Sequence, residues 1–357
     1  MHVTMPAREW RAMIAPITTT KPRVGVLLVR IDAADGMVTA TTNRDNTIVR
    51  SIAYGDVVEI GSVCLPAIGL IEFIRHCTSQ TPITLRLDGS QAIATADTAR
   101  HVFEAQTPDA VTPYPDQSRS YTTEIALSGS QFSAGIKSVS YAAATDQHRP
   151  ALAAIMIDAA APQPTMTAAD GYRMARQRID VVARTGSAAQ ILLPIDITGS
   201  AMAMAKESDS LVTISVDDQS INLTVGRHSM TTPIITSRYP DVSRVLPTTQ
   251  PVARAQINSR VLIASLKRMI SAHPKEQYCH VSIDTGELTI TSPAGTTVSL
   301  SSTTEGSANI AINPKFFHSA VYGVDGDVSL SVYEETNKSL VVERDGYYAL
   351  VALFARR

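Results

Sequence analysis

The feature that most constrains the fold of this chain is an internal repeat. Three segments share one pattern, in which apolar residues lead through a proline into a stretch with helical spacing; they are 62–77, 190–208 and 309–324. Their prolines lie roughly 125 residues apart, at Pro66, Pro194 and Pro314. Proline suits the first position of a helix, because the N–H that it lacks would have no partner there. The pattern therefore predicts a helix that starts at each proline, in three similar units.

A second helix is predicted ahead of each of these prolines. Three segments carry apolar residues at helical spacing, and they are 6–17, 128–143 and 258–273. The last two open beside a capping residue, either Ser128 or Ser130 in one and either Asn258 or Ser259 in the other. Between the helices, short runs rich in Val, Ile and Thr alternate with a period of two, which predicts strands.

The boundaries between the units are indicated by a repeated triplet. Tyr-Pro-Asp occurs at 114–116 and at 239–241, where one unit passes into the next. Extended residues before a proline are typical of a linker. We therefore predict three domains of about 110–130 residues, each large enough for one core. They comprise residues 1–119, 120–247 and 248–357. The predicted fold class is α+β, with two helices and antiparallel sheets in each domain.

Composition narrows the classes of protein. The chain has 357 residues, of which 44% are hydrophobic and 18% charged, as in folded rather than disordered proteins. A formal net charge of −2 does not indicate nucleic-acid binding unless the basic residues gather on one surface. The three cysteines lack metal-ligand spacing and are typical of reduced thiols. We find neither a signal peptide nor a membrane-spanning run, so we expect a soluble cytoplasmic protein with no membrane partner.

No catalytic arrangement is evident in the sequence. The phosphate-binding, zinc-protease, nucleophile-elbow and dinucleotide motifs are all missing. The histidines are scattered, and the paired acids at 217–218 and 334–335 are typical of solvated turns. We therefore expect no catalytic residues, no metal and no cofactor. These observations favour a binding or scaffolding protein over an enzyme.

Several motifs resemble those of the bacterial DNA polymerase III beta subunit family, the sliding clamps. The segment 148–158 and the phrase AADGYRMA at 168–175 resemble the second domain of that family, with Ala169 in place of its usual threonine. PDVSRVLP at 240–247 resembles the family's PDY-x-RV-x-P, and 313–316 matches a phrase of its third domain. The resemblance covers most of the chain and is strongest from about 128 to 270.

The resemblance implies both a fold and a function. Three tandem clamp domains would form half of a closed ring, and two chains would pair head to tail around duplex DNA. Such a homodimer is a non-catalytic processivity factor, which needs only sequence-independent contacts to phosphate. Its partners would be the replicative polymerase subunit, the clamp loader and repair proteins, which bind through short peptide motifs. The ring-closing strands are expected near 91–103 and 294–303.

Basic residues on the predicted helices are the candidate DNA contacts. The candidates are Lys21, Arg75, Lys137, Lys206, Lys267, Arg268 and Lys315. Of these, Lys21 matches a basic loop position of the family and Arg75 a basic helix position. One departure is Asp196, which follows Pro194 where the family often has a basic residue. DNA contact by that helix is therefore the weakest part of this prediction.

The resemblance also implies a pocket for partner peptides between the second and third domains. Its candidate residues are Leu152, Ala169, Gly171, Tyr172, Arg173, Met174, Pro240, Arg244, Val245, Asn313, Phe316, Leu353 and Phe354. Apolar side chains would hold an anchored peptide, with the arginines at the edge. The tail ALVALFARR differs from the family's VVMPMRL, which implies a different peptide preference.

Two other interpretations remain open from the sequence. The altered tail and Asp196 also fit a diverged clamp-like module that binds proteins but does not encircle DNA. An enzyme with an unrecognised site is the third possibility, and the missing motifs make it the weakest.

Overall fold

A computed structural model describes residues 1–19, 25–115, 120–146, 148–186, 190–206, 210–333 and 339–354. These residues form six α-helices and 27 strands. None of the described helices is both long enough and apolar enough to cross a membrane. Contacts divide the chain into two compact units. Unit 1 contains residues 1–133, 181–188 and 196–235, and unit 2 contains residues 134–180, 189–195 and 236–357.

The six helices confirm the helix pattern of the repeat. Their bounds are Ala7–Thr18 (α1), Ala67–Arg75 (α2), Gly129–Val139 (α3), Thr198–Met204 (α4), Ser259–Ala272 (α5) and Pro314–Val321 (α6). Ser128 caps α3, since its hydroxyl accepts from the Gln131 N–H at 3.3 Å. Asn258 caps α5 in the same way and accepts from the Arg260 N–H at 3.2 Å.

The prediction that each helix starts at its proline holds for one of the three. Pro314 is the first residue of α6, and Asn313 caps that helix. Pro66 ends a strand in extended conformation, and α2 begins one residue later. Pro194 also ends a strand, and a short 3-10 helix, Ile195–Ile197, separates it from α4. Neither proline has a backbone N–H to donate. The end of a strand tolerates this as readily as the first turn of a helix does.

Unit 1 contains two antiparallel sheets. Its strands are His2–Pro6 (β1), Leu28–Ala34 (β2), Met37–Arg44 (β3), Thr47–Tyr54 (β4), Asp56–Glu59 (β5), Gly61–Pro66 (β6), Pro82–Asp88 (β7), Gln91–Ala96 (β8), Ala99–Glu104 (β9), Thr123–Ser128 (β10), Ala183–Gly186 (β14), Leu211–Val216 (β16), Ser220–Val225 (β17) and His228–Pro233 (β18). The five-stranded sheet has the order β5-β1-β7-β8-β9. The nine-stranded sheet has the order β14-β10-β16-β17-β18-β4-β3-β2-β6.

Unit 2 also contains two antiparallel sheets. Its strands are Ala154–Asp158 (β11), Thr165–Ala169 (β12), Arg173–Arg178 (β13), Gln190–Pro194 (β15), Ala253–Asn258 (β19), Cys279–Asp284 (β20), Glu287–Thr291 (β21), Thr297–Ser301 (β22), Thr303–Gly306 (β23), Ala308–Ile312 (β24), Asp327–Tyr333 (β25), Ser339–Arg344 (β26) and Tyr347–Ala352 (β27). The nine-stranded sheet has the order β15-β11-β12-β13-β27-β26-β25-β19-β23. The four-stranded sheet has the order β22-β21-β20-β24.

Each nine-stranded sheet joins strands from two of the predicted domains. In unit 1, β18 pairs with β4 across the predicted boundary at 119. In unit 2, β13 pairs with β27 across the predicted boundary at 247. The two compact units are therefore defined by strands that share a hydrogen-bonded sheet, whereas the three predicted domains are defined by the sequence repeat. The division into three domains stays a prediction.

The two Tyr-Pro-Asp triplets hold their segments in different ways. The guanidinium of Arg50 on β4 lies 4.5 Å from the centroid of the Tyr114 ring, in unit 1. In unit 2, Tyr239 is itself buried. That burial raises the pKa of the Tyr239 hydroxyl. Each tyrosine therefore anchors the chain at a predicted domain end; Asp116 of the first triplet lies outside the described residues.

Candidate functional site

Unit 2 contains an apolar cavity of about 280 Å³. Its lining residues are Leu152, Ala169, Gly171, Tyr172, Arg173, Met174, Pro240, Asp241, Val242, Val245, Leu350 and Ala352. Eight of these twelve were singled out from the sequence as peptide-binding candidates. The remaining four, which sequence reasoning missed, are Asp241, Val242, Leu350 and Ala352.

One wall of the cavity is the turn that connects β12 to β13. The carboxylate of Asp170 accepts hydrogen bonds from the N–H groups of Tyr172 and Arg173, at 2.9 and 3.0 Å. Gly171 has a φ of +95°, where side chains with a Cβ are strained. The phrase Asp-Gly-Tyr-Arg therefore sets a tight turn that presents the Tyr172 and Arg173 side chains at the rim of the cavity.

Arg173 is held by charge and by aromatic rings. Its Nε donates to Asp170 at 2.9 Å, and the two side chains are only 18% and 13% exposed. Its guanidinium lies 4.4 Å from the Phe316 ring centroid and 5.6 Å from that of Tyr141. A half-buried ion pair with aromatic contacts loses less to solvent screening than an exposed one. The guanidinium is therefore held in place at the rim.

Behind Arg173, two tyrosines form a buried hydrogen-bond chain. The hydroxyl groups of Tyr141 and Tyr347 lie 2.8 Å apart. Tyr347 donates to the carbonyl of Ala320 in α6 at 2.7 Å, so Tyr141 is the donor to Tyr347. Burial raises the pKa of both hydroxyls, and each therefore stays protonated as a donor.

The opposite wall comes from the segment after the second Tyr-Pro-Asp. Asp241 accepts from the Ser243 N–H at 3.1 Å and caps the 3-10 helix Val242–Val245. The hydrogen bonds from Ser243 lower the pKa of the Asp241 carboxyl, which keeps it ionised. Val242 packs against a cluster that contains Ala169, Met174, Val341 and Leu350. This cap fixes the direction of the chain, so that Val242 and Val245 line the cavity.

Leu350 and Ala352 reach the cavity through strand pairing. In the ladder between β13 and β27, Met174 is opposite Leu350 and Arg173 is opposite Val351. Ala352 donates its N–H to the carbonyl of Tyr172 at 2.9 Å. The alternation in the tail marks Leu350 and Ala352 as sharing one face of a strand, but it does not indicate which strand they pair with. Only the fold places them beside Met174.

Five predicted pocket residues do not line the cavity. Phe316 contacts it indirectly, through the Arg173 guanidinium and through the Tyr172 ring at 6.4 Å between centroids. Asn313 caps α6, and Arg244 is 83% exposed and pairs with Asp241 at 3.4 Å. Leu353 forms a bridge with Ile312, and the Phe354 ring lies 6.1 Å from that of Tyr278. A role for these five in peptide binding stays a prediction.

The predicted DNA-binding residues are mostly exposed. Lys137, Lys206, Lys267 and Arg268 are exposed at or beside helices, and within the described ranges none of them forms an ion pair. Arg75 pairs with Glu72 at 2.7 Å, and the Lys315 Nζ donates to the Pro274 carbonyl at 2.9 Å. Lys21 lies outside the described residues. Their contact with DNA stays a prediction.

No alternative chemical site emerges from the described part of the chain. Among those residues, no group of three or more His, Cys, Asp or Glu side chains is placed to hold a metal ion. Cys64 and Cys279 are buried free thiols, and burial raises the pKa of both. A raised thiol pKa disfavours the nucleophilic thiolate.

The chain has an α+β fold of six helices and four antiparallel sheets in its described residues, and solved structures of DNA sliding clamps share this fold. A family model described as the DNA polymerase III beta subunit, central domain, matches residues 126–241. The chain is 22% identical to the beta sliding clamp of Chlamydia muridarum, over 92% of this chain and 90% of that relative.

Solved structures agree on the fold. The beta subunit of Thermotoga maritima DNA polymerase III has a TM-score of 0.87 at 16% identity, covering all of both chains. A Pseudomonas aeruginosa sliding clamp bound to griselimycin has a TM-score of 0.86 at 17% identity, again over all of both chains. These comparisons confirm the resemblance to the beta sliding clamp family that the sequence indicated, and the solved structures show that the chain shares the fold of that family. Members of the sliding clamp family are non-catalytic processivity factors.

Proposed function

We propose that this chain is a replication processivity factor of the cytoplasm. Two copies close a ring around duplex DNA, and each copy tethers polymerases, a clamp loader and repair proteins through the apolar cavity. The observation that carries this proposal is the cavity itself, in a chain with the fold of the clamp family. It combines the turn at Asp170–Arg173 with the capped segment Pro240–Val245, the two motifs most specific to the family resemblance.

The cavity suits a short peptide with aliphatic anchors. Leu152, Met174, Val242 and Leu350 provide an apolar lining, while Arg173 and Asp241 contribute charge at its edge. Buried apolar anchors supply most of the affinity of such complexes, and rim charges set orientation and specificity. The same cavity can therefore receive different partners in turn if each carries a similar short motif.

Sequence-independent DNA contact is proposed for the basic side chains of the helices. Lys137, Lys267 and Arg268 are exposed and form no ion pair with another described residue, so they are available to phosphate. A clamp needs only weak contacts of this kind, because closure of the ring keeps it on the DNA. Retention would then depend on topology, and salt would weaken the phosphate contacts.

Ring closure is proposed to use the edge strands of two of the described sheets. The strand β9 (Ala99–Glu104) ends the five-stranded sheet of unit 1, and β22 (Thr297–Ser301) ends the four-stranded sheet of unit 2. Both overlap the ranges expected from the sequence. Unpaired edges favour association with another chain. In a head-to-tail pair, β9 of each copy would pair with β22 of the other, which gives two equivalent interfaces.

The test joins solution mass with retention on DNA. Light scattering should give a dimer of the 38.2 kDa chain. After loading by the cognate clamp loader, the protein should remain on nicked circular DNA in high salt and leave when the circle is cut. A monomer, or a dimer that ignores linearisation, would instead support the clamp-like module that does not encircle DNA.

A further inference from the structure

Unit 1 carries an exposed apolar cluster that the clamp function does not use. Its members are Met37, Tyr54, Val58 and Ile60, which are 40%, 72%, 65% and 69% exposed. We call these four side chains the corner patch. Single exposed apolar residues are common on protein surfaces, but a contiguous group marks an interaction site.

Strand pairing brings Met37, Tyr54 and the residue after Ile60 to one end of the nine-stranded sheet. Met37 is opposite Tyr54 in the ladder between β3 and β4. Met37 is also opposite Ala34 on β2, and the neighbouring Ala33 is opposite Gly61, which follows Ile60. Four adjacent strands span about 14 Å, because strands in a sheet lie about 4.8 Å apart. Met37, Tyr54 and Gly61 therefore lie at one end of this sheet, and Val58 and Ile60 come shortly before Gly61 in the chain.

Backbone contacts fix the loops that carry the patch. The Gly55 N–H donates to the carbonyl of Gly36 at 3.0 Å, which ties the β4–β5 connection to the β2–β3 turn. Between these connections and Ile60 lies β5, the edge strand of the five-stranded sheet. Among the strands that the structure describes, β5 pairs with β1 alone, so its other edge is open to a further strand. An extended segment could add to this edge.

The charge around the corner patch is negative. Asp35, Asp56 and Glu59 are exposed beside it. Within the residues that the structure covers, Asp35 and Asp56 form no ion pair, and Glu59 lies 3.6 Å from the amino group of Met1. Arg30 on β2 pairs with Asp32 at 2.9 Å, and Arg86 on β7, which is opposite His2, pairs with Asp88 at 2.8 Å. Two carboxylates are thus left uncompensated at the rim.

We propose that the corner patch docks an extended segment of a partner protein in which basic residues alternate with aliphatic ones. The aliphatic side chains would cover Met37, Val58 and Ile60, while lysine or arginine would pair with Asp35 and Asp56. The same charge argues against a second copy of this chain bound patch to patch, because that would bring like carboxylates together. It also argues against nucleic acid, whose phosphates the rim would repel.

The patch can be tested with a defined probe. An acetylated, amidated hexapeptide of alternating lysine and valine would be titrated into the full-length protein with labelled Met, Val and Ile methyl groups. The expected result is a saturable shift of the Met37, Val58 and Ile60 signals. The glutamate–valine peptide of the same length should cause none. Raising the salt concentration should weaken the binding of the lysine peptide, because salt screens the exposed charges at the rim.

Variants supply the matched controls. Val58→Thr with Ile60→Thr, and separately Asp35→Asn with Asp56→Asn, should each weaken the lysine peptide about fivefold or more, the effect of about 1 kcal/mol. Val182→Thr removes an equally exposed valine, at 68%, and should have no effect. The proposal is wrong if the lysine peptide causes no shift at millimolar concentration, if the glutamate peptide binds equally well, or if the two double variants bind like the parent.

Discussion

The guanidinium of Arg173 lies 4.4 Å from the centroid of the Phe316 ring, while its Nε binds Asp170 at 2.9 Å. Arg173 is the first residue of β13, and Phe316 lies in α6. The contact explains how a residue outside the cavity lining can influence the cavity, because Phe316 packs on a side chain that forms the rim. A change at Phe316 would therefore act on peptide binding through the position of Arg173.

Replacing Val245 by aspartate should abolish peptide binding without unfolding the protein. Val245 lines the cavity but is 38% exposed, so a charge there is tolerated by the fold. A bound peptide would remove water from the new carboxylate, so the affinity for the peptide should fall at least tenfold. Fluorescence anisotropy with a labelled clamp-binding peptide of the cognate polymerase would measure the change.

Val252→Asp is the matched control for this variant. Val252 is 42% exposed and lies outside the cavity lining, so its replacement should leave peptide affinity unchanged. If both variants lose affinity equally, the effect is general and the cavity is not the peptide site.

Gly171→Ala should weaken both the turn and the cavity. The φ of +95° is strained for alanine, at a cost of about 1 kcal/mol or more in the free energy of unfolding. Gly226→Ala is the control, because Gly226 also has a positive φ, +53°, and has open space around it. Thermal unfolding should register both changes, whereas peptide affinity should fall only for Gly171→Ala. Equal affinities for both variants would show that the turn does not shape the site.

The tyrosine pair behind Arg173 should respond unequally to the loss of each hydroxyl. Tyr347→Phe would leave both the Tyr141 hydroxyl and the Ala320 carbonyl without their partner, which should cost about 1–3 kcal/mol. Tyr141→Phe removes one hydrogen bond and leaves the bond from Tyr347 to Ala320 intact, so its cost should be about 1 kcal/mol. Urea denaturation would measure the order, and a larger loss for Tyr141→Phe would contradict the assigned donor direction.

Stability should fall in mild acid because of His228. This side chain is buried opposite Ser51, whose hydroxyl lies 2.8 Å from Nδ1, and burial lowers the pKa of its imidazole to about 4. An unfolded histidine has a pKa of about 6.5, so the unfolded state binds more protons between pH 6.5 and pH 4. The contribution of neutral His228 is therefore complete above pH 6.5 and is lost as the pH falls toward 4.

The size of this effect is roughly 3 kcal/mol, from 1.36 kcal/mol for each unit of pKa change. Comparing the free energy of unfolding of the parent with that of His228→Gln at pH 7 and pH 4.5 isolates it. The advantage of the parent should shrink at the lower pH. An advantage that does not depend on pH would mean that His228 is not buried in its neutral form.

The repeat, the six helices and the resemblance to the clamp family were all predictable from the sequence. The helices could be predicted because their signals are local: apolar residues at helical spacing, and caps such as Ser128 and Asn258. The turn at Asp170 to Arg173 was equally predictable, since it needs only a glycine that tolerates a positive φ and an aspartate that accepts from its own backbone. The resemblance to the clamp family, and not these local signals, identified one wall of the cavity and a part of the other.

The sequence by itself determined the repeated helix-and-strand pattern and the chemistry of the wall residues. The tertiary structure decided which tail residues face the cavity, where Phe316 meets Arg173, and which apolar residues form the corner patch. The reason is that antiparallel pairing is long-range: alternation shows that a strand has two faces, but only its partner strand and register decide what each face contacts. Leu350 lines the cavity because it is opposite Met174, a pairing that neither segment encodes alone.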